Sequence, residues 1–208
     1  MRPARPKRPS DRMTDSARLT DSPVAPADAA TLLRGRRTVD RFRNDIVPDT
    51  ATVHEAIEVA RWAPNHHLTE PWRFALIGAA TQARIIELNT ALVAASKGDD
   101  VAEAKRERWS QMPGWLAVTC LRHDDAITAC EDYAACACAI QNLSIYLHSA
   151  GIATKWASGA VTREAAFLRA IDADPAREYC VGLIWYGYPL RRPKSRRKAL
   201  SEIIRHCD

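Results

Sequence analysis

The alternation of hydrophobic and polar positions along this chain predicts helices and strands that interleave irregularly. Asp28 is the expected cap of a first short helix, and Asp49 or Thr50 is the expected cap of a second helix. Pro64 ends that second helix, because proline forces the preceding residue out of the helical region. The apolar runs at residues 72–77, 115–122 and 180–189 are typical of strands. Residues 82–95 and 163–171 predict further helices, and the polar residues 97–111 predict a mobile, lid-like connection. The class is therefore α+β, a central sheet with helices around it.

Residues 130–150 predict a long helix with almost no charge between its ends. Glu131 and Asp132 near its start and Gly151 after its end match the preferences of helix termini. A helix that is apolar on every side must be covered on every side. A sheet of the same protomer or a second copy of the chain can provide that cover. We expect the second copy, and hence a homodimer.

The two ends of the chain are basic and account for much of the net charge of +5. Residues 1–27 are rich in Pro, Arg, Ser and Asp without an apolar period, which predicts a disordered basic extension. Residues 28–208 then form one domain. Anionic partners are expected at the ends. Nucleic acid is not the expected partner, because the central segment has no groove-reading motif.

The six cysteines lie mostly in apolar runs and show neither CxxC nor Cys/His ligand spacing. On a helix, the sulfurs of Cys136 and Cys138 would point about 200° apart, which is wrong for a shared metal. We therefore expect reduced thiols and no metal site. The N-terminus lacks the apolar core of a signal peptide, and the most apolar segment is interrupted by polar residues. A cytoplasmic protein that does not enter membranes is the expectation.

Three segments carry candidate chemistry. The first is RRTVDRF at residues 36–42, where Arg36, Arg37 and Thr38 can hold a phosphate dianion through charge-assisted hydrogen bonds. A solvated basic turn is the alternative. The second, residues 155–159 (KWASG), offers an indole and backbone amides for ring carbonyls, with a core strand as the alternative.

The third segment is the loop WAPNHHLTEPW at residues 62–72. Its adjacent histidines, His66 and His67, are expected to diverge, and no HxH or HExxH pattern completes a metal site. No GxSxG elbow marks a nucleophile. The loop is suited to lining one side of a planar ring. The alternative is that Trp62 and Trp72 pack in the core.

Taken together and in this order, these segments resemble the nitroreductase family of flavin enzymes. RRTVDRF is similar to the family's RRSxRxF opening, and residues 60–74 are similar to its aaRxAPSxxNxQPWrF segment. Residues 133–159 resemble the family's long central helix and the strand after it. VGLIWYGYP and RRKALSEII resemble its GyP strand and KRKPLEEVV tail. The match spans residues 28–206, and the APNHH form resembles a compact branch of the family.

The resemblance implies an obligate homodimer with a mostly antiparallel central sheet, the long helix at the interface and FMN at each of two interface sites. Arg36, Arg37 and Thr38 would hold the phosphate and ribityl chain, with Arg197 as a further phosphate partner. Trp62 and His66 would approach the flavin from the other protomer. The residues implied to run along the isoalloxazine are Trp156, Ala157 and Ser158.

The implied chemistry is a ping-pong oxidoreductase reaction of a flavoprotein. NADH or NADPH passes a hydride to flavin N5 and leaves, and an oxidised small-molecule acceptor takes its place. Nitroaromatics, quinones and enones are the implied acceptors. No catalytic side chain is expected, because the family has no obligatory nucleophile.

Three positions depart from the family pattern. Asp40 stands where many members carry Lys or Arg, a cation that can stabilise the reduced flavin, and Arg41 is a candidate substitute. Leu68 and Glu70 replace the usual Asn and Gln. Two other functions stay open: an enzyme that uses reduced flavin with O₂ to modify a bound substrate, and a non-enzymatic binding protein that uses its basic ends.

Overall fold

A computed structural model describes residues 24–207 of the chain. Most of the predicted extension, residues 1–23, lies outside the described residues. The first helix, α1 (Pro26–Gly35), begins at Pro26 and not after the expected cap Asp28. Proline is accepted at the first helical position because its missing N–H is not needed there. Asp28 lies in the first turn of the helix, where a negative charge is favourable.

The described residues form five more α-helices and four β-strands. The helices are α2 (Thr50–Ala60), α3 (Ala79–Lys97), α4 (Asp99–Ser110), α5 (Ala126–Ser149) and α6 (Ala165–Ala170). The strands are β1 (Trp72–Leu76), β2 (Gly114–Leu121), β3 (Ala153–Ala157) and β4 (Glu178–Gly187). Short 3-10 helices occur at His66–Leu68, Ala160–Arg163 and Leu200–Glu202.

Aspartate caps start the two helices α2 and α5. Asp49 accepts a hydrogen bond from the amide of Thr52 at 2.8 Å, as its position in the sequence predicted. Asp125 accepts one from the amide of Thr128 at 2.8 Å, so α5 begins at Ala126, before the predicted start at residue 130. Each carboxylate satisfies an amide that has no partner within the helix.

The prediction of a mobile lid at residues 97–111 is wrong. Gly98, with φ of +87°, ends α3 and allows the chain to turn directly into α4. Ala102 and Trp109 are buried although the rest of α4 is mostly polar. These two residues are seven positions apart and therefore lie on the same face of the helix. The Trp109 ring contacts Trp185, with 5.1 Å between centroids.

The sheet has the strand order β1-β2-β4-β3, and all neighbouring strands are antiparallel. One register shift occurs between Val118 and Thr119. Helices cover both faces of the sheet. The predicted α+β class with a mostly antiparallel sheet is confirmed.

Two hydrophobic cores lie on opposite faces of the sheet, because successive strand residues point to opposite sides. One core packs against α2 and α5 and contains Leu116, Val118 and Leu143. The other packs against α3, α4 and α6 and contains Trp115 and Ala117. Within residues 24–207, none of the helices has the length and apolarity needed to cross a bilayer.

Candidate functional site

The RRTVDRF segment, residues 36–42, runs along the free edge of β3. Thr38 forms an isolated parallel bridge with Thr154, and the amide of Val39 donates to the carbonyl of Thr154 at 3.1 Å. Val39 is buried, whereas Thr38 and Asp40 are exposed. Because side chains alternate along extended backbone, Thr38 and Asp40 point away from the core on the same side.

Arg36 lies in a cluster of cationic side chains. Its guanidinium is partly buried, and its Nε has no hydrogen-bond partner among the described residues. Burial lowers the pKa of Arg36, and the neighbouring charges of Arg197 and Arg37 lower it further. The pKa of His148 is also lowered, by burial and then by Arg192, Arg36 and Arg37. The structure therefore brings the predicted residues Arg36, Arg37 and Arg197 together.

No carboxylate neutralises this cationic cluster in the part of the chain that the structure describes. The ion pairs found there involve other arginines, namely Arg43, Arg61, Arg106 and Arg108. Arg37 donates instead to the carbonyl of Arg36 at 2.8 Å, and Arg197 donates to the carbonyl of Arg196 at 2.9 Å. Partly buried like charges favour a bound anion. The donor set fits the phosphate group of FMN.

Trp156 of β3 packs closely against Gly182 of β4. Its indole Nε1 donates to the carbonyl of Val181 at 3.1 Å, and 39% of the residue stays exposed. Ala157 is half-buried at the end of the strand, and Ser158 follows it on the surface. Residues 153–157 do form a strand, and its free edge borders the segment that holds Thr38 and Arg36.

The loop between α2 and β1 is exposed but tightly organised. The side chain of Asn65 accepts a hydrogen bond from the amide of Glu70 at 2.7 Å and donates to the Thr69 hydroxyl at 3.0 Å. The Thr69 hydroxyl in turn donates to the buried carboxylate of Asp132 on α5. Trp62 is 77% exposed, so the alternative of packing in the core is wrong for Trp62, whereas Trp72 is buried as that alternative predicted.

Three non-glycine residues of this loop have left-handed backbone: His67 (φ +57°), Leu68 (φ +52°) and Glu70 (φ +44°). Such backbone is costly for most side chains and is tolerated best by Gly, Asn and Asp. Leu68 occupies the position where the nitroreductase motif has Asn. The departure at Leu68 therefore falls where Asn is the better residue for the backbone.

The two histidines of the loop do not diverge as expected. Their rings touch, with 3.9 Å between the centroids and 61° between the planes, because left-handed His67 turns the chain back. Across residues 24–207, no three His, Cys, Asp or Glu side chains are placed together as metal ligands. The touching rings form an exposed aromatic surface on this loop.

Trp62 and His66 are separate from the other predicted site residues within one protomer. The described residues provide no hydrogen bond, ion pair or ring contact between them and β3 or the cationic cluster. The loop is instead attached to α5 through Thr69 and Asp132.

Sequence reasoning missed four residues near the site. His148 and Arg192 belong to the cationic cluster. Lys155 and Arg108 lie near Asp40, whose carboxylate pairs with Arg108 at 3.1 Å. Lys155 stands inside the KWASG motif and Arg192 in the basic tail, so motif position could have indicated them. His148 and Arg108 are brought there by the fold alone.

Comparison with known proteins gives a consistent set of similarities. A sequence profile of the Nitroreductase family matches residues 33–188. YfhC of Bacillus subtilis (strain 168), named as an NAD(P)H nitroreductase, is 29% identical over 172 residues, 80% of this chain and 87% of that protein.

Solved structures share the fold. A nitroreductase-like family protein from Bacillus cereus has a TM-score of 0.75 and 25% identity, covering 86% of this chain and 95% of that chain. The FMN-dependent nitroreductase NfnB from Mycobacterium smegmatis, solved in complex with NADPH, has a TM-score of 0.69 and 20% identity. That match covers 86% of this chain and 98% of that chain.

Proposed function

Because the chain belongs to the nitroreductase family, we propose that it is an FMN-dependent oxidoreductase that uses NADH or NADPH to reduce a small-molecule acceptor. The NADPH complex of FMN-dependent NfnB and the name of YfhC support this cofactor pair. The single observation that carries the proposal is the partly buried Arg36, whose Nε lacks a partner beside Arg37 and Arg197.

Arg36, Arg37 and Arg197 would hold the phosphate of FMN. A dianion would relieve the mutual repulsion of the three guanidinium groups and accept the free hydrogen bond of Arg36. Thr38, on the outward side of the same segment, would donate to the phosphate or the ribityl chain. The extended backbone of residues 36–40 would thus guide the cofactor along the edge of β3.

Trp156, Ala157 and Ser158 would line the ring of the flavin. Trp156 is held in place by its hydrogen bond to the carbonyl of Val181, so its exposed indole surface is preorganised. When bound, FMN supplies hydride transfer through N5, and the protein positions the ring and limits access to it. No side-chain nucleophile is assigned, and ping-pong exchange of nicotinamide and acceptor is part of the proposal.

The homodimer is supported by apolar surface that a lone protomer leaves open. On α5, Ile127 is 70% exposed, and Tyr133, Ala134 and Cys138 are exposed at helical spacing along the same region. Leu200 in the tail is 65% exposed. A second copy would cover these residues. It would also bring Trp62 and His66 to the flavin of its partner.

The acceptor class and the cellular location are the finer parts of the proposal. Nitroaromatics, quinones and enones are proposed as acceptors because they are planar and could stack in a site lined by the flat Trp156 ring. Their reduction by the flavin needs no side-chain nucleophile. A cytoplasmic location is proposed because none of the six cysteines is paired in the structure. Reduced thiols are typical of that compartment.

The proposal is tested by flavin content and anaerobic reduction. Protein reconstituted with FMN and desalted should be yellow, and NADH or NADPH should bleach it without oxygen. Arg36→Ala should lose most of the bound FMN, whereas Arg84→Ala, which removes an exposed arginine of α3, should retain it. Wild-type protein without flavin would contradict the function. Equal flavin content in the two variants would contradict the phosphate assignment alone.

A further inference from the structure

Asp40 belongs to a group of three charged side chains. Its carboxylate accepts a hydrogen bond from Arg108 Nη2 at 3.1 Å. Lys155 feels both of these charges: burial and then Arg108 lower its pKa, and Asp40 opposes them. The ammonium also lies 5.3 Å from the centre of the Trp185 ring. Arg108 forms the ion pair with Asp40, and Lys155 forms none among the described residues.

The position of this charge follows from the pairing of two chain segments. Residues 36–40 run parallel to β3, with Thr38 opposite Thr154. From Arg36 to Asp40 the extended chain covers about 13 Å, similar to the reach from the phosphate of FMN to its ring. Lys155 follows Thr154 directly, so its backbone lies beyond the point where the phosphate would be held.

Lys155 and Trp156 leave β3 on opposite faces, so the two side chains would approach a ring at the edge of the strand from different sides. Lys155 is better suited than Arg41 to act on such a ring. Arg41 is exposed and forms no ion pair among the described residues. Water and salt screen such a charge strongly. Lys155 is half-buried on a strand, with its ammonium over the Trp185 ring, so its field is screened less.

We propose that Lys155, rather than Arg41, supplies the positive charge that compensates the reduced flavin, while Arg108 holds Asp40 neutralised. This inference rests on the proposed function. When bound, FMN would accept a hydride from NAD(P)H, which would leave as NAD(P)⁺, and the reduced flavin would carry one negative charge for Lys155 to offset. A cation near that charge stabilises the reduced form and raises the reduction potential of the bound flavin.

The test is a redox titration of the bound flavin against a reference dye, which measures no turnover. Lys155→Met should shift the midpoint potential to a more negative value, and Lys155→Arg should stay near wild type. Asp40→Asn should shift the potential in the positive direction. Lys97→Met, which removes an exposed ammonium at the end of α3, is the matched control and should leave the potential unchanged.

Opposite shifts in Lys155→Met and Asp40→Asn would support the proposal, because general loosening of the site moves both in one direction. An unchanged potential in Lys155→Met with flavin bound would overturn it. If Lys155→Met does not fold, the Asp40→Asn variant provides the test. A midpoint potential of its bound flavin that does not rise above the wild-type value would also overturn the proposal. Wild-type protein that takes up no FMN would instead refute the proposed function on which it rests.

Discussion

Trp156 and Gly182 fit against each other so closely that only glycine is accommodated at position 182. A Cβ atom added at Gly182 would stand 2.2 Å from Trp156 Nε1 and 2.6 Å from its Cδ1. Both distances are far below van der Waals contact. The position of the Trp156 indole therefore depends on the glycine at position 182 of the neighbouring strand. The proposed wall of the flavin site depends on it as well.

Gly182→Ala should displace Trp156 and break its hydrogen bond to Val181. We expect the free energy of unfolding to fall by about 1–3 kcal/mol, as for other overpacked sites, and FMN affinity to fall with it. Urea unfolding and titration with FMN measure the two effects. Gly78→Ala, where nothing lies within 4 Å of the added Cβ, should retain wild-type FMN affinity. Equal behaviour of the two variants would contradict this account of Trp156.

Ala134→Glu should dissociate the proposed homodimer, because it places a charge on the exposed apolar face of α5. An uncompensated buried charge costs about 3–5 kcal/mol, which weakens association by more than about 100-fold. Sedimentation velocity measures the change, and flavin should be lost with it. Ala95→Glu, at an exposed position of α3, should stay dimeric. A dimer that survives Ala134→Glu would place the interface elsewhere.

His148 should make the stability of the FMN-free protein depend on pH. Burial and the nearby Arg192, Arg36 and Arg37 lower its pKa below the ordinary 6.5, so the folded state prefers the neutral imidazole. The unfolded chain then binds the proton more readily, and stability is lost as the pH falls below about 6.5. Above that value the contribution is fully present.

Urea unfolding between pH 7.5 and 5.5 measures this effect of His148. His148→Gln should lose less stability over that range than wild type. Saturating FMN should reduce the difference, because a phosphate dianion offsets the three arginines. The same pH dependence in His148→Gln and wild type would show that His148 is not the responsible group.

Thr69→Val should free the loop that carries Trp62 and His66. The variant removes the hydroxyl that donates a hydrogen bond to the carboxylate of Asp132. Asp132 is only 3% exposed. A buried acceptor left without its partner costs about 1–3 kcal/mol. Urea unfolding and the rate of proteolytic cleavage within residues 62–70 report the change. Thr81→Val, which loses only a hydrogen bond from the exposed Arg84, should alter neither.

The sequence predicted most elements but not every helix. The strand at Trp72–Leu76 and the long α5 follow from apolar runs with clear caps or turn residues. Helix α4 was missed because its polar surface dominates the pattern, and only Ala102 and Trp109 mark its inner face. The hydrophobic periodicity of a helix is a weak signal when only two of its residues pack against the core.

The candidate site could be predicted from the sequence only as separate pieces. The chemistry of Arg36, Arg37 and Thr38 made them candidates for binding a phosphate, with a solvated basic turn as the alternative. Their link to Arg197 came from the family resemblance. The relation of Asp40 to Lys155 and Arg108 was not predictable, because it depends on pairing between distant segments. The contribution expected from Trp62 and His66 requires a second chain, which no single-chain pattern specifies.

The sheet separates the two hydrophobic cores, and this division has a consequence for mutations. Substitutions around Trp109, Trp115 and Trp185 alter the layer that supports Lys155 and Arg108, while α5 rests on the opposite layer. Mutations at distant sites that share no contacts have nearly additive effects. Substitutions in the two layers should therefore act separately on the proposed redox site and on the proposed subunit interface.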